Sequence, residues 1–187
     1  MEHRGTKTIG TGRLRLRKFE NTDAGAMYNN WACDPEVTKY LSWPAHRSVE
    51  ISKSVLADWV SRYAEPDFYQ WAIIFKENGC EPIGSIAVVY KDDTIYMVQV
   101  GYCIGKKWWG QGIVREALDA VIKFFFEEVG VNRIEARHDP ENPNSGKVMV
   151  KCGMKFEGIN RRASLSNQGI HDSAIYAILA EDYITSN

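Results

Sequence analysis

The apolar positions of this chain change period as it runs, and each change marks an element. From Thr11 to Phe19 leucines and arginines alternate, so Leu14 and Leu16 face one way and Arg13, Arg15 and Arg17 the other. That is the period of a half-buried strand with a solvated outer face. Asn21, Thr22 and Asp23 offer capping side chains for a helix to about Ala32. Pro35 suits a first helical position, and Pro44 ends whatever precedes it. Ser48 then caps a helix to about Tyr63, with Ile51, Val55, Leu56, Trp59 and Val60 on its inner face. Three β-branched and aromatic runs follow, Tyr69 to Phe75, Pro82 to Tyr90 and Ile95 to Ile104, parted by Asn78-Gly79 and Asp92-Asp93. Successive strands with short polar turns predict an antiparallel meander.

At Ile113 the period becomes helical, with Val114, Ala117, Leu118, Val121, Ile122 and Phe125 on one face. Arg133 to Arg137 reads as a strand again, and a strand–helix–strand order implies a parallel crossover. Glu141 to Cys152 reads as a helix stopped by Gly153. Met154 to Ala163 and Ile170 to Glu181 form a closing hairpin across Asn167-Gln168-Gly169. The pattern predicts one α/β domain over residues 1–187.

Composition narrows the class. At 187 residues, 44% apolar and 25% charged, the chain has the make-up of one soluble globular domain. A net charge of −1 argues against a general nucleic-acid binder and against a polybasic membrane anchor. Cys33, Cys80, Cys103 and Cys152 are scattered, with no C-x-x-C pair, so neither structural zinc nor a disulfide framework is expected, and no metal. No apolar run follows the N-terminal charges and no segment nears the ~18 apolar residues of a membrane span. The expected location is cytoplasmic and reducing.

The candidate chemistry lies where a strand, a glycine-rich basic turn and a helix start meet, between Val98 and Ile113. The first N–H groups of a helix lack internal acceptors and carry partial positive charge. Gly110 and Gly112 carry no Cβ to keep an anion away, and Lys106, Lys107 and Arg115 add full charge. This is a seat for phosphate. It is not a P-loop, because no G-x-x-x-x-G-K-[ST] string occurs. Nor is it a dinucleotide fingerprint, because Arg115 stands at the third glycine's position.

The string Trp109-Gly-Gln-Gly-Ile-Val-Arg115 resembles the signature [QR]-x-x-G-x-[GA] of the GNAT acetyltransferases. Gly110, Gln111 and Gly112 match its core, and Lys107 stands where the family prefers Gln or Arg. A second string resembles the family's N-x-x-[SA] and K-x-G-[FM] pattern through Asn142, Ser145, Lys151, Gly153 and Met154. The opening T-x-R-L-x-L-R is similar to the RimJ/RimL-type ribosomal-protein alanine acetyltransferases, as is the Trp43-Pro44 segment. The resemblance implies a GNAT fold, a mixed, mostly antiparallel sheet of about seven strands with a splayed parallel central pair and helices on both faces. It implies acetyl-CoA as cosubstrate, with pantetheine against the backbone of Tyr102, Cys103 and Ile104. Lys107, Trp109, Gly110, Gln111, Gly112, Ile113, Val114, Arg115, Asn142 and Ser145 complete its implied contacts.

The implied reaction is direct attack of a neutral amine on the thioester. It needs a proton acceptor, a donor to the oxyanion and a donor to the departing thiolate. The Cys103 N–H is the expected oxyanion donor. Gln99 replaces the Glu that serves as base in histone-acetylating members, and is left to touch substrate. Ile134-Glu135-Ala136-Arg137 resembles the L-E-V-R string of RimI-type enzymes, which makes Glu135 the first candidate base. A strand carboxylate paired to Arg133 or Arg137 is the equal alternative. His138 is the second candidate, since imidazole titrates near ~6.5. Met149 stands where many members carry an acidic Tyr, and Ser145 is the substitute donor. Tyr40 and Trp43 are the expected acceptor-pocket walls. The expected partners are acetyl-CoA and an amine, either a protein N-terminus or a small amine, with no nucleic acid and no membrane, in a monomer or homodimer. Two other classes compete: a module that binds CoA without transfer, motivated by Gln99 and Met149, and a ribosome or nucleic-acid binder using Arg13, Arg15 and Arg17.

Overall fold

The computed structural model describes residues 1–186. Among these residues eight strands form one sheet in the order β1-β2-β3-β4-β5-β6-β8-β7. They are β1 (Ile9–Gly10), β2 (Leu14–Arg17), β3 (Gln70–Phe75), β4 (Pro82–Asp92), β5 (Met97–Ile104), β6 (Arg133–His138), β7 (Lys155–Ser166) and β8 (Gly169–Leu179). The eighth strand beyond the expected seven is the two-residue β1, which doubles back on β2 through a turn closed by Thr11 N–H to Leu14 O at 2.9 Å. Among the described residues only β5 and β6 run parallel; every other neighbouring pair is antiparallel.

The helices are α1 (Ala24–Met27), α2 (Pro35–Thr38), α3 (Val49–Arg62), α4 (Ile113–Phe124), α5 (Pro143–Lys151) and α6 (Ala180–Ser186). Two cores flank the sheet. On one face α4 and α5 bury Leu118, Val121, Ile122 and Met149 against Trp71, Ile73, Val98, Val100, Ile134 and Ala136. On the other, α1, α2 and α3 bury Met27, Val37 and Leu56 with Trp31 against Ala72 and Ile74. Adjacent strand residues thus reach opposite layers, as the pleat requires.

Several expectations shift. The first helical stretch is capped by Glu20, and Asp23 serves from inside it, its Oδ2 accepting the Glu20 N–H at 2.8 Å. In α3 Val55, Leu56 and Trp59 face the core as expected, while Ile51 is 40% exposed and Ser52 is buried in its place. Ser52 is tolerated inside because its hydroxyl meets His46 Nδ1 at 2.8 Å. Ser48 occupies the α3 cap position but makes no side-chain cap bond. The last strand stops at Leu179 and the chain turns into α6, where Asp182 accepts the Leu179 N–H at 3.4 Å. The arginine face of β2 is only partly solvated. Arg15 is exposed, but Arg17 makes a two-point ion pair with buried Asp23 at 2.7 and 2.8 Å, and Arg13 reaches across to α4. No helix among the described residues is long and apolar enough to cross a membrane.

Candidate functional site

The parallel ladder between β5 and β6 runs from Met97–Arg133 to Val100–Ala136 and then stops, although both strands continue. Beyond Val100 the two strands part. The β4 side of β5 stays paired, Cys103 opposite Ser85 and Ile104 opposite Gly84, and Gly105 N–H donates to Ile83 O at 2.9 Å. Antiparallel hydrogen bonding alternates, so Cys103 shares the β4-facing set with Gly105, while Tyr102 and Ile104 turn their N–H and C=O groups into the opening. This corrects the expectation for Cys103: its N–H belongs to the β4 ladder. The Ile104 carbonyl is also taken, by the Trp109 indole N–H at 2.9 Å. The unpaired edge is therefore both polar groups of Tyr102 and the N–H of Ile104.

That edge leads into the glycine turn. Gly110 and Gly112 have φ values of 74° and 73°, the left-handed region that favours glycine. The first helical bond of α4 runs from Glu116 N–H to Gly112 O at 3.1 Å, so the amides of Ile113, Val114 and Arg115 have no helical acceptor. The expected charge is partly spent elsewhere. Lys106 pairs with Glu36, and Arg115 with Asp119 at 3.6 Å. Lys107 lies over the Trp108 ring at 5.4 Å and has no carboxylate within ion-pair distance among the described residues. The Gln111 side chain folds back onto Lys107 O at 2.9 Å.

Arg13, read from the sequence as a solvated residue, buttresses this turn. It bonds Glu116 at 2.7 Å and Gln111 O at 3.1 Å. Burial pushes the Glu116 carboxyl up, but hydrogen bonds from Thr11 and Arg13 outweigh that and hold it below its ordinary range. A cavity of about 770 Å³ begins beside Gly112 and follows the outside of α4 along β1, away from the parted strands.

On the α5 side, Tyr102 donates its hydroxyl to Ser145 O at 3.1 Å, and burial raises its phenol strongly. Asn142 does not cap the helix with its side chain; its Nδ2 donates to Ser145 Oγ at 3.2 Å instead. The Ser145 hydroxyl proton is therefore free for another acceptor. Met149, 1% exposed, is core. His138 sits at the tip of β6, its Nδ1 2.8 Å from Asp139 O. A carbonyl only accepts, so Nδ1 carries the proton and Nε2 is left as a buried acceptor with no donor. A Cβ at position 146 would come within 2.7 Å of that nitrogen, so α5 needs Gly146 to approach it.

The opposite face holds Gln99 and Glu135, which are register partners. Glu135 is 5% exposed, and its two oxygens accept from Arg137 Nε at 2.6 Å and Arg133 Nη2 at 2.9 Å. Glu157, then Glu135, hold the Arg133 guanidinium firmly charged. Of the two readings of Glu135, the geometry is that of the ion-paired strand carboxylate. Cys103 also faces this side, its Sγ 3.4 Å from Ser85 Oγ, and burial raises its thiol. Tyr40, in the loop after α2, donates to Glu141 O on the β6–α5 connection at 3.1 Å, while the Trp43 ring packs on His46 at 5.3 Å.

Sequence patterning had no means to find three further groups here. Asn167 reaches back to the Tyr40 and Trp43 loop; buried Asp139 lies 3.5 Å from His171; Ser173 is 1% exposed with an unpartnered hydroxyl.

Comparison with known proteins agrees with this geometry. The family described as "Acetyltransferase (GNAT) domain" matches residues 13–155. The uncharacterized N-acetyltransferase p20 of Bacillus licheniformis is 30% identical over 177 residues, 95% of this chain and 98% of that protein. The [ribosomal protein uS5]-alanine N-acetyltransferase of Escherichia coli (strain K12) is 32% identical over 84 residues, 45% of this chain and 43% of that protein. A solved RimL, a ribosomal L7/L12 alpha-N-protein acetyltransferase in complex with coenzyme A, superposes with a TM-score of 0.82 at 19% identity, over 92% of this chain and 98% of that one. That last likeness is one of fold. The parted parallel strands, the glycine turn and the match over most of the chain lead to one conclusion: this protein belongs to the GNAT family and is an acetyl-CoA-dependent N-acetyltransferase.

Proposed function

We propose that residues 1–187 form one catalytic domain of the RimJ/RimL type, acetylating the α-amine of a protein N-terminus. The observation that carries this is the ladder ending at Val100–Ala136 beside a turn of unpaired amides. In this reading the pyrophosphate of acetyl-CoA lies over the N–H groups from Gly110 to Arg115, with Lys107 beside it. Pantetheine pairs with Tyr102 and the Ile104 N–H, satisfying polar groups on both sides. Acetyl-CoA supplies the activated acyl group. An amine nitrogen attacks the thioester carbon, the C–S bond breaks, and the Ser145 hydroxyl donates a hydrogen bond to the departing sulfur. Water carries off the proton released from the amine, since Glu135 has both oxygens engaged and His138 Nε2 is closed in against Gly146. The similarity to the uS5-alanine enzyme supports an N-terminal acceptor. So does the tie from Tyr40 to Glu141, which narrows the mouth to something slender, such as a chain end.

The test is thiol release from acetyl-CoA with peptides bearing a free N-terminal Ala, Ser or Met, against polyamines, amino acids and aminoglycosides. The expected result is release with free N-termini and none with N-blocked peptides carrying an internal lysine. Turnover of a small amine alone would overturn the acceptor; binding without any release would leave a CoA-holding module. In the same assay Ser145→Ala should lower kcat by more than it raises the acetyl-CoA KM. An unchanged kcat removes Ser145 from the mechanism.

A further inference from the structure

The turn joining β7 to β8 does not end in solvent. Asn167 lies at its tip, and two of its nitrogens reach the loop formed by residues 38–43, at the end of α2. Its backbone N–H donates to Leu41 O at 3.0 Å. Its Nδ2 donates to Thr38 O and to Trp43 O, each at 2.8 Å. Both amide hydrogens are therefore used, one on each end of the loop. The same loop carries Tyr40, whose hydroxyl is fixed to Glu141 O on the β6–α5 connection at 3.1 Å. A six-residue segment without helix or strand pairing over most of its length is held by a turn more than a hundred residues away in sequence.

Side-chain chemistry makes the position specific. Two carbonyls must be met by two N–H donors from one short side chain, which asparagine supplies. Aspartate would set oxygen against oxygen, serine offers one donor, and glutamine is a methylene too long.

We propose that Asn167 is a positioning residue for the acceptor: it latches the 38–43 loop across the mouth of the β5–β6 opening and so sets which amines enter beneath Tyr40 and Trp43. This rests on the reading that the acceptor enters under that loop, opposite the glycine turn. The latch acts on the acceptor side alone, because neither the Tyr102 edge nor the amides from Gly110 to Arg115 touch it.

The experiment compares wild type with Asn167→Ala and Asn167→Asp, varying acetyl-CoA and acceptor separately. The acceptor KM should rise on the order of tenfold in both variants while the acetyl-CoA KM stays within about twofold, a split that general loosening of the fold does not produce. Trypsin cleavage after exposed Lys39 should quicken several-fold, a readout independent of turnover. Equal rises in both KM values, or no change in acceptor KM with unchanged cleavage, would overturn the latch. The acceptor used is whichever amine the wild type turns over. If that is a small amine, the N-terminal reading fails while the latch is still tested by its KM; if N-terminal peptides react but the variants match wild type, the latch alone fails.

Discussion

His46 shows how a single residue couples the acceptor loop to its support. It is 8% exposed, its Nδ1 lies 2.8 Å from Ser52 Oγ, its N–H donates to Ala32 O at 2.8 Å, and its ring packs on Trp43. Burial lowers its pKa from the ordinary 6.5, because the charged imidazolium loses its hydration. The unfolded chain therefore takes up the proton at higher pH than the folded one. Stability from this group is present above 6.5 and is lost as pH falls from there toward the depressed folded value, with a slope of at most about 1.4 kcal/mol per pH unit. Thermal unfolding from pH 7.5 to 5.5 should fall more steeply for wild type than for His46→Asn, which keeps a polar atom near Nδ1 and does not titrate. Parallel slopes would show that the proton is taken up elsewhere. At the same scale, Glu135 was half legible. Its arginine neighbours two residues away on either side share its strand face, so an ion pair was foreseeable, but that both oxygens are engaged was not.

At the scale of elements, the glycine turn and α4 form the unit that the chain's pattern foretold best. The αL conformation at Gly112 places the first three amides of α4 outward without a helical acceptor. Adding a Cβ there meets Arg13 Nη2 at 3.6 Å, an ordinary contact, so the cost is backbone strain of about 1–2 kcal/mol. Gly112→Ala should lower fold stability by about that strain and, where the turn relaxes and displaces its amides, raise the acetyl-CoA KM by roughly tenfold with the acceptor KM unchanged. An unaltered acetyl-CoA KM would detach the turn from cofactor binding. The β5 edge was less legible. The residues of the opening were readable as a group, but which of Tyr102, Cys103 and Ile104 faces it depends on a one-residue parity. Register with β4 sets that parity, and register follows from packing on both faces.

For the molecule as a whole, two cores on opposite faces of one sheet hold the parted strands from both sides, so the opening is a property of the packed fold. A ligand that bridges β5 and the α4 start should stabilise the folded state by mass action. At a hundred times its Kd, acetyl-CoA should add about 2.7 kcal/mol, a rise in Tm on the order of 5–10 °C for a chain this size. A thermal-shift titration checks this, with desulfo-CoA and adenosine as controls. No shift with acetyl-CoA at millimolar concentration would contradict the cofactor site.

The sequence by itself determined the succession of elements, the antiparallel meander, the single parallel crossover and the glycine turn at a helix start. Each of these is written in local period and in residues such as Gly110, Gly112, Asn142 and Ser145 whose chemistry acts within a few positions. Tertiary structure alone decided the rest: the burial of Ser52 in place of Ile51 on α3, the change to α6 after Leu179, Arg13 beneath the glycine turn, the packing of His138 against Gly146, and the bonds from Asn167 to the 38–43 loop. These pairings join residues far apart along the chain. Their partners are set by which faces pack together and in what register, and local hydrophobic period carries no record of that.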